Sequence, residues 1–479
     1  MKTYLRNFLA FPVVLALLSA GCSLDDPDHP TTLQARPVFA SYVAIGNSLT
    51  AGYMDSGLMQ AGQANSYPQL IAGRLGFDGT EFSQPWVAAP GIGSTSTGDP
   101  SVIAGVLRFD GASISLLGTT PAAEVQALLL ASAQPTPYHN LGVPFATVGD
   151  VFGAYSGATS EIGAPFFDFI NRPSLYGNSQ QSATVLELDG VTPKQVTYET
   201  TSMGWQSIAK GPSLLTVWMG NNDVLAGAAL GNPSPANMTD PAVFASRYSD
   251  MMQLLAGGLV QRTGFPATIV VANIPDLTDT AYFLSEATFD LASGGGWPWG
   301  FAEGTIALVT FPVLAWIQDA ANQGTPIPGN YTLTTDEANL VGQYVAGYNQ
   351  AIGQIVAAVD ASGMATVALV DVNAELAALS AAQKTHFMLL LPQVAGSIPT
   401  AAATTAFSLD GLHPNNHGQG IVANAFLEVI NTLTGSDLPM VDTATLVWDP
   451  TYGVPVDTKA TGLPTLSPEA AEAMTAVWR

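Results

Sequence analysis

One local pattern constrains this chain more than any other. Five short apolar runs recur along it, rich in β-branched residues and closing on Gly, Asn, Pro or Asp. They cover 42–45, a less distinct stretch placed just before Asn140, 214–219, 268–272 and 366–370. Short runs without polar alternation read as strands buried on both faces. Between the last two lies a helical period. Thr334 and Glu337 match a capping box, and Leu340, Tyr344, Tyr348, Ile352, Ile355 and Val359 share one face. A second helix is predicted after Asn416, with Val422, Phe426 and Ile430 in line. Strands alternating with helices predict an α/β fold: a three-layer α/β/α sandwich on a parallel sheet of about five strands.

Two long stretches, at about 92–211 and 277–331, exceed what such a sandwich needs. Both are rich in Gly, Pro, Ser and aromatic residues. Loops of that length are usually lids or binding subdomains. Carried by the sheet as insertions, they let one catalytic domain span 39–479. An apolar content of 47% with 10% charged residues supplies a large core and excludes a disordered chain. The net charge of −24 rests on only 13 Lys and Arg, which argues against nucleic acid or an anionic lipid surface as partner.

The N-terminus reads as an address. Lys2 and Arg6 precede an apolar run over 8–18, too short to span a bilayer, and then Leu18-Ser19-Ala20-Gly21-Cys22. This resembles a bacterial lipobox, with Ser19 where Leu is usual. The resemblance implies a signal peptide over 1–21, diacylation of Cys22, a polar tether over 22–38 and a cell-envelope location anchored in lipid. Ser23 favours the outer membrane. Cys22 is the only cysteine, so the chain has no intramolecular disulfide. The competing reading is a plain secretory signal with an incidental cysteine.

Three segments carry chemistry. Ser48 lies in Ala44-Ile45-Gly46-Asn47-Ser48-Leu49-Thr50-Ala51-Gly52, at a strand-to-helix turn. There its hydroxyl faces free amides and a helix dipole, although an ordinary Ser N-cap has the same appearance. Asp410-Gly411-Leu412-His413-Pro414-Asn415 places a carboxylate three residues before an imidazole in a Gly/Pro turn. Such an Asp can orient the imidazole while the ring reaches a serine hydroxyl. Gly220-Asn221-Asn222-Asp223, after the third strand, offers a side-chain amide to a developing oxyanion.

Together these segments resemble, in order, three blocks of the SGNH/GDSL hydrolases: Gly46 to Leu49, Gly220 to Asp223, and Asp410 to Pro414. The resemblance implies a flavodoxin-like sandwich and hydrolysis of esters or thioesters with no cofactor and no metal. It makes Ser48 the nucleophile and Asp410 and His413 its charge relay, with the Ser48 N–H and Asn222 in the oxyanion hole. The family usually has Asp where this chain has Asn47, a residue that supports the nucleophile loop. A further donor is the N–H of a Gly in the family's fourth block. The corresponding stretch here is Asn140-Leu141-Gly142-Val143-Pro144-Phe145-Ala146, which puts Phe145 in the position of that Gly and narrows the site with its ring. Gly91, in Pro90-Gly91-Ile92-Gly93, is the rival source; Phe145 is preferred because the surrounding match is better.

The remaining candidates have plainer readings. His417 is taken as a surface residue at a helix start, His139 as a packing or rim residue, Asp223 as a brace for the Asn222 loop, and Asp371 as a strand-terminal cap. The aromatic residues Trp297, Trp299, Phe301, Phe311 and Trp316 either line an acyl pocket or touch lipid, or fill the core of their own insertion, the last being preferred. Three functions are compatible with these residues: a lipase or carboxylic ester hydrolase, a carbohydrate O-acetyl esterase acting on surface glycans, and a non-catalytic lipid-anchored binding protein.

Overall fold

The protein is described by a computed structural model over residues 37–94, 99, 101–130, 137–161, 166–170, 182–186, 192–197, 201–456 and 465–475. Cys22 and the segment around it lie outside the described residues. In chain order the elements that position the site are β1 (Tyr42–Gly46), α1 (Ser48–Ala51), α2 (Tyr67–Arg74), β2 (Asn140–Gly142), α3 (Met203–Lys210), β3 (Leu214–Trp218), α4 (Asn222–Ala229), α5 (Pro241–Thr263), β4 (Ala267–Ala272), α6 (Thr335–Ser362), β5 (Ala365–Val370), α7 (Val372–Ala378), α8 (Asn416–Thr434) and α9 (Pro468–Thr475).

Four of the apolar runs are strands of one parallel sheet, which β2 completes, ordered β5-β4-β3-β1-β2. Numbered along the chain this is 2-1-3-4-5, the order of flavodoxin-like doubly wound sheets, whose switch point falls between β1 and β3. Side chains divide between two faces with period two. Tyr42, Ala44, Leu214 and Val270 pack under α2 and α8. Val43, Ile45, Leu215, Val217, Ile269 and Val271 pack under α5 and α6. The capping box at the start of α6 is present: the Glu337 N–H donates to Thr334 Oγ1, and Glu337 Oε2 accepts the Thr334 N–H at 2.8 Å.

One strand differs from its prediction. The second strand starts at Asn140 instead of ending before it. An Asn at the end of an apolar run suggests a stop, but here its side chain is fully employed. Nδ2 donates to the Thr50 carbonyl at 2.9 Å and Oδ1 accepts the Gly142 N–H at 3.0 Å. The first of these bonds clips β2 to α1. The two elements approach so closely that a Cβ on Gly142 would lie 2.4 Å from the Ala51 nitrogen. Only glycine fits there.

Smaller antiparallel elements fill the long connections. Phe283–Ser285, Ile306–Thr310 and Thr332–Thr334 form a three-stranded sheet that feeds α6. Leu107–Phe109 pairs with Ser113–Leu116, and Thr465–Leu466 from the C-terminal part of the chain adds to that pair in parallel. The C-terminal segment thus returns across the front of the molecule before α9.

Candidate active site

β1 ends at Gly46 and the chain turns directly into α1, with Asn47 as N-cap and Ser48 as the first helical residue. Asn47 Oδ1 accepts the Leu49 N–H at 3.1 Å, which sets the turn. Its Nδ2 donates to Asn221 Oδ1 at 3.2 Å and ties this turn to the loop after β3. An Asp at this position has no N–H to give that second bond. The Ser48 N–H, at the head of a helix, has no intrahelical acceptor. Because α1 is a single turn of four residues, its aligned dipole is small and its free amides matter more.

The second component arrives from the turn before α8. Gly411 has φ +71°, and a Cβ there would meet the backbone of Tyr282 at 2.9 Å, so a glycine lets the turn tuck in. His413 Nε2 lies 2.9 Å from Ser48 Oγ, and His413 Nδ1 lies 2.9 Å from Asp410 Oδ2. Asp410 Oδ1 also accepts the N–H groups of Leu412 and His413, each at 2.9 Å. The three-residue spacing therefore closes on itself, with the carboxylate holding both the ring and the backbone of its partner. Ser408 Oγ donates to Oδ1 at 3.0 Å and the Ser56 N–H to Oδ2 at 2.8 Å.

Burial pushes the Asp410 carboxyl upward. The adjacent imidazole of His413 and the hydrogen bonds outweigh burial and hold it at about 2. An ionised acceptor at Nδ1 places the ring proton there and leaves the Nε2 lone pair facing Ser48. Ser48, Asp410 and His413 are all buried. The Tyr53 ring packs against the imidazole with centroids 4.8 Å apart, and its hydroxyl donates to the Ser56 carbonyl at 2.6 Å.

Of the amide candidates, Asn222 shares the cleft wall with Ser48 and His413. Asn222 opens α4, and its Nδ2 donates to the Ala146 carbonyl at 2.9 Å, which leaves one amide hydrogen for another acceptor. Ala146 follows Phe145, which has φ +68°. The non-glycine residue thus adopts the left-handed conformation that a glycine in this place takes freely. Its ring does not narrow the main cleft. It packs edge-on to Tyr53 at 5.5 Å and lines a smaller recess of about 300 Å³ beside His413, with Tyr282 and Met474. The Gly91 N–H is committed to a turn, donating to the Ala88 carbonyl at 2.9 Å.

Asp223 is a brace. Its Oδ2 accepts the Val148 N–H at 3.0 Å and its Oδ1 accepts the Thr239 hydroxyl at 2.9 Å, joining the Asn222 loop to the Phe145 loop. Burial raises its carboxyl to about 7 against the lowering effect of these bonds. Asp371 caps α7 through the Ala374 N–H and accepts from Asn273. His139 Nδ1 accepts from the Ser83 N–H at 3.1 Å, and burial, aided by Lys210, holds it near 3 as a neutral packing residue. His417 Nδ1 lies 3.2 Å from the Thr443 carbonyl, in the first turn of α8.

A cleft of about 780 Å³ opens from Ser48 and His413. Its walls are Leu225 of α4, Pro275 and Leu277 after β4, Val372 and Leu376 of α7, Phe407, and Ile421 and Val422 of α8; among the described residues Glu375 is the one carboxylate on it. The insertion aromatics do not line it. Trp297 contacts Trp299 and Trp316 with centroids 4.7 and 5.6 Å away, and Phe311 is buried on the His386 ring. Trp297 and Trp316 pack within the insertion, Phe311 joins it to the segment around His386, and Trp299 is 39% exposed.

Several residues around the site have no forecast in the sequence: Tyr53, Asp55, Ser56, Asn221, His386 and Ser408. Asp55-Ser56-Gly57 is legible as a turn, but nothing in it announces a bond to a carboxylate 354 positions away. His386 Nε2 donates to the Leu409 carbonyl at 2.9 Å while Nδ1 accepts the Met388 N–H, so the ring is neutral; burial holds it at about 4.

A hydroxyl bonded to an imidazole, itself held by an ionised carboxylate, on a cleft that the Asn222 amide also lines, suits acyl transfer through a covalent intermediate. The family model described as GDSL-like lipase/acylhydrolase matches residues 42–426. The chain belongs to that family, and it is an ester hydrolase by membership. No curated protein and no solved structure matches it.

Proposed function

We propose that the protein is a serine esterase or lipase that cleaves carboxylic esters of medium or long acyl chains, with Ser48 as nucleophile, His413 as base and acid, and Asp410 as the orienting carboxylate. The observation that carries this reading is the line of 2.9 Å contacts from Ser48 through His413 to Asp410, opening onto an apolar cleft. As Ser48 Oγ attacks the ester carbonyl, its proton passes to His413 Nε2. The carbonyl oxygen becomes an oxyanion held by the Ser48 N–H, the Asn222 amide and the Phe145 N–H. Imidazolium then protonates the departing alkoxide, leaving acyl-Ser48. Water attacks that ester, giving its proton to His413; the acyl–Oγ bond then breaks, His413 returns the proton to Ser48 Oγ, and the carboxylic acid leaves.

A cleft walled by Leu, Val, Ile and Phe favours a hydrocarbon chain over acetate. Turnover of p-nitrophenyl esters should rise with acyl length beyond acetate, and a preference for acetate or acetylated sugars would move the assignment to an O-acetyl esterase. A fluorophosphonate should label the wild type and leave Ser48→Ala unlabelled. Both Ser48→Ala and His413→Ala should abolish turnover while the protein stays folded. Failure of the wild type to label would favour the binding-protein reading.

Export and lipid anchoring through Cys22 belong to the same proposal. They are supported by the basic start, the apolar run over 8–18 and the small residues ahead of the single cysteine. Metabolic labelling with a fatty acid should mark the wild type and not Cys22→Ser, and the labelled protein should fractionate with the outer membrane.

A further inference from the structure

We infer that Asp55 is a positioning residue for the catalytic relay, acting through Asp410, and that the C-terminal segment around Trp448 and Tyr452 is part of the same device. This rests on the serine hydrolase reading above.

Asp55 and Ser56 are consecutive non-glycine residues in the left-handed region, with φ +55° and +56°. Residues are held there only where the surroundings fix them, and such positions concentrate at functional sites. What they hold is Asp410. The Ser56 N–H donates to Asp410 Oδ2 at 2.8 Å, and the Asp55 N–H donates to Ser408 Oγ at 3.0 Å, whose hydroxyl donates on to Asp410 Oδ1. Both oxygens of the relay carboxylate are thus oriented from this one strained pair.

The Asp55 side chain fixes the pair in place. It is completely buried, with Oδ1 accepting the Leu409 N–H at 2.7 Å and Oδ2 accepting the Trp448 indole N–H at 3.1 Å and the Tyr452 hydroxyl. Leu409 is the residue before Asp410, so the carboxylate grips the acid-bearing turn directly. Trp448 and Tyr452 lie beyond the stretch matched by the family model. The titratable groups that face Asp55 are Asp410 and Tyr452, and burial raises its carboxyl to about 7. Asp55 is absent from the wall of the apolar cleft, so its influence belongs to the chemical step and not to substrate binding.

The test is a double-mutant cycle, with the hydrolysis of one p-nitrophenyl ester and the rate of fluorophosphonate labelling as readouts. Asp55→Asn should lower kcat about tenfold with KM unchanged, and the loss should shrink to twofold or less in an Asp410→Asn background, because coupled residues are not additive. Equal losses in both backgrounds, or wild-type kcat in Asp55→Asn, would overturn the inference. Should Asp55→Asn fail to fold, Tyr452→Phe and Ser408→Ala carry the test. Each keeps Asp55 and should lower kcat twofold or more without changing KM, and wild-type kcat in both would equally overturn it. Activity surviving in Ser48→Ala would sink the serine hydrolase reading itself. Loss in Ser48→Ala with no effect at Asp55 sinks only the positioning role.

Discussion

Asp223 and Asp55 are two fully buried carboxyls tied to different parts of the same site, each raised by burial to about 7. Asp223 braces the amides expected to hold the oxyanion, and Asp55 braces the acid behind the histidine. Their hydrogen-bond partners differ in kind. Asp223 meets one obligate donor, the Val148 N–H on one oxygen, and a Thr239 hydroxyl on the other. Asp55 meets an obligate N–H on each oxygen, from Leu409 and from Trp448. A hydroxyl can reverse and accept, whereas an amide or indole N–H cannot. Asp223 is thus a local tie that tolerates a substitute, and Asp55 is a clamp that requires two acceptors.

The comparison breaks most visibly at the group that Asp223 supports. Asn222→Ala should cost roughly 10²–10³ in kcat, the scale for an oxyanion donor, with little change in Tm or in the midpoint of denaturant unfolding. A loss below tenfold would mean that the Ser48 and Phe145 amides suffice, and that the Asp223 side of the site matters less than the Asp55 side.

A smaller effect separates the two carboxyls in stability. In Asp223→Asn, Oδ1 can keep the Val148 bond while Nδ2 donates to a reversed Thr239 hydroxyl. In Asp55→Asn, Nδ2 must face either the Leu409 or the Trp448 N–H. One buried donor is then left unpaired, at a cost of about 1–3 kcal/mol. Urea unfolding at pH 7 should rank Asp55→Asn as the less stable of the two, and the reverse order would show that the Trp448 bond is not made in solution.

The same contrast explains what was legible in the sequence. Asp223 sits inside Gly220-Asn221-Asn222-Asp223, so a reader who finds the oxyanion amide finds its brace one residue on. The central sheet was legible for a similar reason. Buried parallel strands such as 214–218 and 267–272 announce themselves by local composition, whereas their order is what the family resemblance implied and not what composition gave. Ser48, Asp410, His413 and Asn222 stand in short blocks whose internal spacing carries the geometry. Asp55 stands in Met54-Asp55-Ser56-Gly57, which says only that the chain turns. Its meaning comes from Leu409, Trp448 and Tyr452, more than 350 positions away, and one sequence holds no record of which distant donors meet a carboxylate. Phe145 was legible as an N–H in the right block, but the place of its ring was not. Cleft walls built from Leu225, Leu376, Phe407 and Ile421 belong to four elements whose meeting is a tertiary fact.

The smallest effect lies in how stability varies with pH, and it should treat the two carboxyls alike. An unfolded Asp releases its proton near 4, whereas these two retain theirs to about 7. Between those values the native state binds more protons than the unfolded chain, so each carboxyl contributes stability at acid pH that is lost as pH rises toward 7. His139 and His386, held neutral near 3 and 4, act oppositely. The unfolded chain protonates them below about 6.5, so their share grows as pH rises from about 4 to 6.5. Wild-type Tm therefore mixes two opposed trends, and only a difference between proteins isolates either one. Relative to wild type, Asp223→Asn should gain about 1–3 °C in Tm between pH 5 and pH 8. Asp55→Asn should gain by the same amount from a lower starting point, because its unpaired donor is an offset that does not titrate. A difference that stays flat across this range for either variant would mean that the carboxyl is already ionised in the native state at pH 5, with water or a shifted partner reaching it.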